Sequence, residues 1–423
     1  MNILVVGGGG REHAIIKKLA QSPMAERIYA LPGNGGIAEI AQCYPIKATE
    51  IDKIVEFAVS HKVDFAVVAP DDPLVLGCVD KLNEAGIAAF GPTKAAAAIE
   101  GSKVFSKGLM EKYGIPTAKS RVFTSADDAD EYLENAQYPT VIKADGLALG
   151  KGVIIAEDKE TALSAINEIM RNGKFGASGK SVLIEEFLTG IEVSVLAFTD
   201  GKTIVPMVSS MDHKRALDGD KGLNTGGMGT IAPSPVYTPE TASRCMKEIF
   251  LPTVEAMNKE GRPFKGCLYF GLMLTEKGPH VIEYNCRFGD PETQVVLPLL
   301  ESDLLDIMIK VSQGRLSEAD VRFSSGAACC VVMASRGYPE AYKSGYEITV
   351  NGLCENEDVY IAGARLEEGR LLTSGGRVLG AVAVSHSLEA AVEKAYKVAE
   401  KIHFENAYFR RDIGKKALEY KKG

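Results

Sequence analysis

The sequence predicts a multidomain chain of mixed class, an α/β unit with a parallel sheet at the N-terminus followed by α+β units. Three observations carry that expectation. The 423 residues allow about three domains at ~150 residues each. Over residues 1–100, short apolar runs ending in Gly or Pro (NILVVG, RIYALP, FAVVAP, IAAFGP) alternate with helical stretches such as REHAIIKKLAQS and DKIVEFAVSH. That alternation is the βαβ pattern of a parallel sheet. Beyond residue 116, strand-like runs and capped helices mix as in α+β units.

Hydrophobic residues make up 46% of the chain and charged residues 25%, as in an ordinary soluble globular protein. A net charge of −8 and a pI near 5.5 argue against a generic nucleic-acid or membrane-surface binder. They leave room for a local basic pocket around a small phosphorylated ligand. The eight cysteines (43, 78, 245, 267, 286, 329, 330 and 354) include no Cys-x-x-Cys pair, so buried, reduced core thiols in a reducing compartment are expected. In the apolar run AACCVVMA, Cys329 and Cys330 would point to opposite faces of a strand. MNILVVGGGG has no basic stretch before its apolar run and reads as a first strand rather than a signal peptide. No apolar run approaches the ~20 residues of a membrane span. The expectation is a cytoplasmic, soluble protein with neither nucleic acid nor membrane as partner.

Residues 101–116, GSKVFSKGLMEKYGIP, read as a helix closed by Gly114 and Pro116. A compact unit at about 117–189 follows, with strands TVIKAD, GVIIAE and SVLIEEF. Ser125 with Asp128 resembles a capping box. Asp158 precedes ETALSAINEIM, in which Leu163, Ile166, Ile169 and Met170 share a face. From 190 to about 323 come strands EVSVLAF, TIVPMVS, CLYFGLMLT and HVIEYNC, helices, and a polar, glycine-rich loop at 211–230. The last ~100 residues carry the amphipathic helix SLEAAVEKAYKVAEKI, with Leu388, Ala391, Val392, Ala395, Val398, Ala399 and Ile402 on one face.

Five segments carry candidate chemistry. GGGGREHA (7–14) joins the first strand to the first helix, where backbone amides can face an anion. The dinucleotide fingerprint fails because residue 12 is Glu and the second strand ends in LPGN without an acid. The turn either merely closes the unit or binds phosphate; Arg11 and the loop PGNGG (32–36) favour phosphate. KADGLALGKGV (143–153) is no Walker A loop, since Gly146 and Gly150 are separated by three residues and Gly follows Lys151. It reads as a hairpin tip, or as a mobile lid whose glycines approach phosphates while Lys143 and Lys151 neutralise them. SVLIEEFLTGIEVSV (181–195) places Glu185, Glu186 and Glu192 either on solvated edges or where the backbone meets a purine. The irregular stretch 211–230 is long enough to be functional, and Gly226, Gly227 and Gly229 imply close backbone approach. His213, with no Cys or second His nearby, does not make a zinc site.

The fifth segment is HVIEYNCRFGDPETQ (280–294). In a strand, Val281, Glu283 and Asn285 share one face and Ile282, Tyr284 and Cys286 the other. Oxygens at i and i+2 lie about 7 Å apart at Cα and can converge on one hard cation such as magnesium. A half-exposed strand with polar residues outward explains Glu283 and Asn285 but not the Arg287-Phe288-Gly289-Asp290-Pro291 that follows.

Lys103, Lys143, the 145–152 glycine segment, EEFL at 185–188 and EYN at 283–285 occur in the order used by ATP-grasp ligases. More narrowly, GGREHA, PGNGGIA, KADGLALGKGV, DHKR, NTGGMG and RFGDPETQ together resemble the phosphoribosylamine–glycine ligase family, from residue 1 to the RDIGKKAL near the end. The resemblance implies an N-terminal domain (1–101), a central ATP-grasp fold (102–323) with a mobile lid at about 117–189, and a mixed C-terminal domain (324–423). It implies ligation of glycine to 5-phosphoribosylamine in purine synthesis, with ATP as co-substrate and Mg2+ or Mn2+, by a monomer. By the same resemblance Lys103, Lys143, Gly150 and Lys151 meet nucleotide phosphates, and Glu185, Glu186, Phe187 and Leu188 hold the adenine. Glu192 takes the ribose, Glu283 and Asn285 take metal, and Arg287 takes the γ-phosphate. Asp290 and Asp212 fall near the two amines. Gly9, Arg11 and Asn34 meet the phosphoribosyl end, and Lys214, Asn224, Gly226, Gly227, Gly289 and Pro291 complete the substrate site. Two departures stand out. The strand GCLYFGLML carries no acid where many ATP-grasp enzymes have one, which leaves the number of metals open. APDDPLVL (69–76) replaces a more usual Gly-Pro-Glu form, leaving Asp71 and Asp72 without an assigned role. A carboxyaminoimidazole ribonucleotide synthase and a non-catalytic nucleotide-binding protein are the competing readings; RFGDPETQ argues against the first, and the Glu283–Asn285 pair against the second.

Overall fold

The computed structural model describes residues 1–147 and 152–420. Its N-terminal sheet runs in the order Gln42–Cys43, Arg27–Pro32, Asn2–Gly7, Phe65–Val68, Ala88–Phe90, with every pair parallel. Leu4 and Val6 belong to one apolar core and Ile3 and Val5 to another, as expected of a parallel sheet covered on both faces. The carboxyl ends of the first two strands coincide at Gly7 and Pro32, so the loops GGGG and PGNGG meet at one edge, the usual ligand side of such a sheet.

The helix expected at 101–116 begins at Lys103 and ends at Tyr113. Ser102 breaks the path from the preceding helix Lys94–Gly101: its hydroxyl accepts the Phe105 N–H at 3.1 Å and starts a new helix. Gly114, at φ 67°, stops it. Next comes an antiparallel sheet in the order Ser120–Phe123, Val182–Glu186, Thr140–Ala144, Val153–Ala156. Helices Ala126–Leu133 and Lys159–Ile166 are capped by Ser125 and Asp158, which accept the Asp128 and Thr161 N–H groups. Leu133, Ile142, Ile166, Ile169 and Ile184 build a core private to this unit.

The central antiparallel sheet is ordered Ile204–Pro206, Ile191–Thr199, Gly266–Thr275, Gly278–Asn285. A last sheet joins Met211–Asp212, Gly229–Ala232, Ala327–Ser335, Arg377–Ser385 and Glu357–Ile361, with helix Leu388–Glu400 burying the expected face from Leu388 to Ala399 against it. Ile402 lies past the helix end, in the short strand Ile402–His403. Residues 211–230 are therefore not the irregular loop expected. Their ends pair into this sheet, and Arg215–Leu217 forms a hairpin with Lys221–Asn224. Long-range pairing overrides the local glycine signal.

Cys78, Cys245, Cys267, Cys286, Cys329 and Cys330 are buried, whereas Cys43 is half-buried and Cys354 exposed, which corrects the expectation of uniformly buried thiols. Cys329 and Cys330 do face opposite ways: each belongs to a different apolar core. Among the described residues no helix is long and apolar enough to cross a membrane.

Candidate active site

The strand Gly278–Asn285 departs from strict alternation. Gly271 lies opposite Glu283, but the next residue, Leu272, lies opposite Val281, so Ile282 is extra. Such a bulge re-aims the side chains on either side of it. The expectation that Val281 shares a face with Glu283 and Asn285 is thereby corrected. Val281 joins Tyr284 and Cys286 in the core, while Ile282, Glu283, Asn285 and Arg287 line a cavity of about 540 Å³. A smaller cavity of about 110 Å³ shares Lys143, Glu185, Glu283, Asn285 and Arg287 and adds Lys103 and Asp71.

Part of the larger cavity's wall is apolar, from Val141, Val153, Ile155, Leu188, Met273 and Ile282. That suits a flat base. Glu186, Phe187 and Glu192 line the same cavity; the Glu186 carboxylate accepts the Lys119 N–H at 2.9 Å. Glu185 behaves differently from its neighbours. It is buried, and its two oxygens pair with Lys143 at 2.9 Å and Lys107 at 3.1 Å. Its side chain thus anchors lysines rather than the base. Lys107 also donates to Thr117 Oγ1 (2.8 Å) and Ala118 O (3.0 Å), using all three of its donors. Lys143 donates once more, to Ile282 O at 3.0 Å, which among the described residues leaves it a third N–H. Sequence reading missed Lys107, although it lies four residues after Lys103 on the helix Lys103–Tyr113 and so shares its face. Lys103 donates to Gly146 O. Burial lowers its proton affinity, with Glu283 opposing. Gly150 and Lys151 lie outside the described residues.

Burial would raise the proton affinity of Glu283, but Lys214, Lys143, Lys103 and Arg287 outweigh it and keep the carboxylate ionised. Lys214 sits 3.5 Å from Glu283 and also pairs with Glu192. The Asn285 amide oxygen accepts from Arg287 Nη2 at 3.1 Å. One carboxylate and one amide oxygen fit a hard divalent cation that draws its other ligands from nucleotide and water. Among the described residues no group of three or more His, Cys, Asp or Glu is placed to hold a metal, so nucleotide oxygens are needed to complete such a site. Burial opposes the charge of Arg287, yet Glu100 at 3.3 Å and Asp71 hold the guanidinium protonated. Glu100 also accepts the Cys286 N–H at 2.7 Å. Neither its role nor that of Asp71 beside Arg287 was visible in the sequence.

Asp212, Lys214, Asn224, Gly226, Asp290 and Glu292 also line the larger cavity. Arg377, also missed from sequence, reaches in from the C-terminal sheet. It donates to Gly226 O (2.6 Å) and Asp290 O (2.9 Å) and pairs with Asp290 Oδ2 at 3.2 Å. Gly227 has φ 113°, and a Cβ there would stand 2.5 Å from Pro291 Cδ and 2.7 Å from Asp212 Oδ1. Only glycine lets these loops close. Gly289 packs in the same way on Glu292. Gly9 lies close to Asp290: a Cβ there would stand 3.5 Å from Oδ2. Arg11 pairs with Glu12 at 2.6 Å and donates to Phe288 O at 3.1 Å. Asn34 spends its amide on backbone, donating to Gly8 O and Ile361 O and accepting the Gly36 and Ile37 N–H groups. It holds the loop in place. Arg410 fixes the 215–224 hairpin over the cavity through Asp220 and Arg215 O.

A family model described as phosphoribosylglycinamide synthetase matches in three parts: its N domain over residues 1–100, its ATP-grasp (A) domain over 101–293 and its C domain over 328–416. The phosphoribosylamine–glycine ligase of Clostridium acetobutylicum is 48% identical over 416 residues, covering 98% of this chain and 100% of the relative. The chain belongs to the phosphoribosylamine–glycine ligase family. The ligase of Haemophilus influenzae is 46% identical, with 99% of both chains covered. The crystal structure of phosphoribosylamine–glycine ligase from Thermotoga maritima matches at a TM-score of 0.85 and 35% identity, covering 98% of this chain and 100% of that one. The biotin carboxylase domain of Hydrogenobacter thermophilus 2-oxoglutarate carboxylase, solved with MgADP, matches at 0.76 and 17% identity over 96% of this chain and 91% of that one, a likeness of fold alone. Membership of the phosphoribosylamine–glycine ligase family, with its ATP-grasp domain, makes the chain an ADP-forming ligase.

Proposed function

We propose that the chain joins glycine to 5-phosphoribosylamine at the expense of ATP, through glycyl phosphate, to give glycinamide ribonucleotide, ADP and phosphate in de novo purine synthesis. The observation that carries this reading is two adjoining cavities sharing Lys143, Glu283, Asn285 and Arg287, whose walls bring together an apolar slot, the cations Lys103, Lys143 and Arg287, and the carboxylates Asp212 and Asp290. The base occupies the slot beside Glu186, Phe187 and Leu188, and Glu192 takes the ribose. The free N–H of Lys143 meets a phosphate oxygen. Lys103 and Arg287 flank the transferred phosphoryl group, where negative charge spreads in the transition state. Glu283 and Asn285 are the residues that would hold Mg2+ or Mn2+, which when bound neutralises phosphate charge. A glycine carboxylate oxygen attacks the γ-phosphorus and ADP leaves; the amine of phosphoribosylamine then attacks the acyl carbon and phosphate leaves. Gly9, Arg11 and the Asn34 loop receive the phosphoribosyl end, and Lys214, Asn224, Gly226, Gly227, Gly289 and Pro291 shape the space between. Gly150 and Lys151, outside the described residues, keep the nucleotide-phosphate role that the family resemblance implies.

The reading divides the chain at 1–101, 102–323 (lid at about 117–189) and 324–423; the private core of the lid supports it. It takes the enzyme as a cytoplasmic monomer; the free cysteines suit a reducing compartment. The test is ADP formation with glycine and freshly generated phosphoribosylamine, omitting each in turn. ADP released equally without either substrate would sink the ligase reading.

A further inference from the structure

Glu292 has no part in the chemistry described so far, yet it is only 4% exposed and lines the larger cavity beside Asp212, Asp290, Arg287 and Lys214. Its Oε1 accepts from the Tyr269 hydroxyl at 3.2 Å and the Ser194 hydroxyl at 3.4 Å, and these two hydroxyls bond each other at 2.8 Å. Ser194 and Tyr269 stand on the central strands Ile191–Thr199 and Gly266–Thr275, so the carboxylate is held from a rigid sheet. Asp212 accepts the His213 N–H at 2.7 Å, and Gly227 packs so close that a Cβ there would stand 2.7 Å from its Oδ1.

The ligation has a proton requirement that these groups meet. Phosphoribosylamine attacks as a neutral amine and ends as an amide N–H, so its nitrogen gives up one proton. Glycine's own amine must stay protonated, or it would compete as a nucleophile. The site therefore needs one carboxylate that stays ionised beside an ammonium and another with the proton affinity of a base. Their environments separate the carboxylates in this way. For Asp290, burial favours the neutral form, but Arg377, Arg11 and the Gln294 amide outweigh it and lower its proton affinity. For Asp212, burial and then the charge of Glu292 raise it well above the ordinary range, against Lys214. Burial also raises Glu292, with Lys214 and Arg287 opposing and Asp290 adding. The other charged or titratable groups facing the pair are Tyr269, Glu192, Glu283 and Arg377. Two carboxylates in one such environment titrate as a unit.

We propose that Glu292 and Asp212 form a single proton-accepting pair for the amine of 5-phosphoribosylamine. As the amine nitrogen bonds to the acyl carbon of glycyl phosphate, its proton passes to the pair. The carbon–oxygen bond to phosphate then breaks, and its electron pair leaves on the phosphate oxygen. This rests on the ligase reading.

The test compares two rates of the full-length protein. One is ligation with phosphoribosylamine. The other is glycine hydroxamate formation when hydroxylamine replaces it, a small α-nucleophile reactive enough to attack an acyl phosphate without a positioned base and to give its proton to solvent. Glu292→Gln keeps an acceptor for Tyr269 and removes the charge. Ligation should fall on the order of 10²–10³-fold, the scale of general-base catalysis, while the ratio of hydroxamate formation to ligation rises by about tenfold or more. The acid limb of the ligation pH profile should move to lower pH relative to wild type, because Asp212 loses the neighbour that raises it. Asp212→Asn should raise the same ratio. An equal loss in both rates, an unmoved acid limb, or an unchanged ratio in Asp212→Asn would overturn the pair. A wild-type enzyme that forms no hydroxamate would overturn the acyl-phosphate reading instead, and the ligation rates and their acid limb would still decide the pair.

Discussion

Replacing Arg377 with Met tests whether the C-terminal sheet sets the geometry of the substrate loops. The guanidinium holds Gly226 O, Asp290 O and the Asp290 carboxylate, with side-chain exposures of 20% for Arg377 and 18% for Asp290. Methionine keeps the apolar stem and leaves Asp290 without its strongest counter-charge. Breaking a fully buried ion pair costs about 3–5 kcal/mol, and an exposed pair contributes about 1 or less. With roughly a fifth of each side chain in solvent, the expected loss is about 2–4 kcal/mol, read as a shift in the denaturant midpoint. The pH dependence has a definite sign. Arg377 helps to lower Asp290 in the folded state. The stability it contributes is therefore complete above the unfolded aspartate value near 3.9 and is lost as pH falls through the lower folded value. The gap between wild type and variant should hold steady at neutral pH and shrink below about pH 4. Turnover should fall on the order of 10²-fold, the effect of a misplacement of about 1 Å at a reacting centre. A variant within ~0.5 kcal/mol of wild-type stability and within about threefold of its turnover would refute the argument.

Arg287→Ala should lose on the order of 10²–10³-fold in turnover while still binding ATP, as for removal of a transition-state donor; near wild-type turnover would remove that role. Glu283→Gln should raise the Mg2+ concentration needed for half-maximal activity, and an unchanged titration would take Glu283 out of the metal site. Burial and then Lys17 hold His13 at about 3 rather than 6.5, so the unfolded chain binds a proton that the folded chain refuses. His13 thus contributes stability fully above about pH 6.5 that is lost as pH falls towards 3. A His13→Gln variant should lose less melting temperature than wild type between pH 7 and pH 5; parallel curves would contradict this.

Local signals carried much of the fold. The apolar runs ending in Gly or Pro mark the parallel strands, and Ser125 and Asp158 mark helix starts because each cap is satisfied within three residues. Glu283, Asn285 and Arg287 could be picked out because they lie within five residues of one another. Glu100 and Arg377 could not, since they reach their partners across 186 and 151 residues, and an Arg in a C-terminal strand looks like any solvated charge. The bulge at Ile282 was hidden because a period of two has no means of announcing an extra residue. Glycine richness masked the strands at both ends of 211–230, which pair with each other across the intervening hairpin, and the second of which pairs again with a strand about a hundred residues further on.

The strand Ala327–Ser335 is buried along its whole length. Ala327, Cys329, Val331 and Met333 fill one core, and Ala328, Cys330 and Val332 fill another. It is a party wall between two rooms, and inserting or deleting a single residue would turn every side chain through to the wrong room. Its length is therefore as constrained as its composition. Changes in chain length belong instead in the exposed stretch 340–345 that follows, where no core keeps count of the residues.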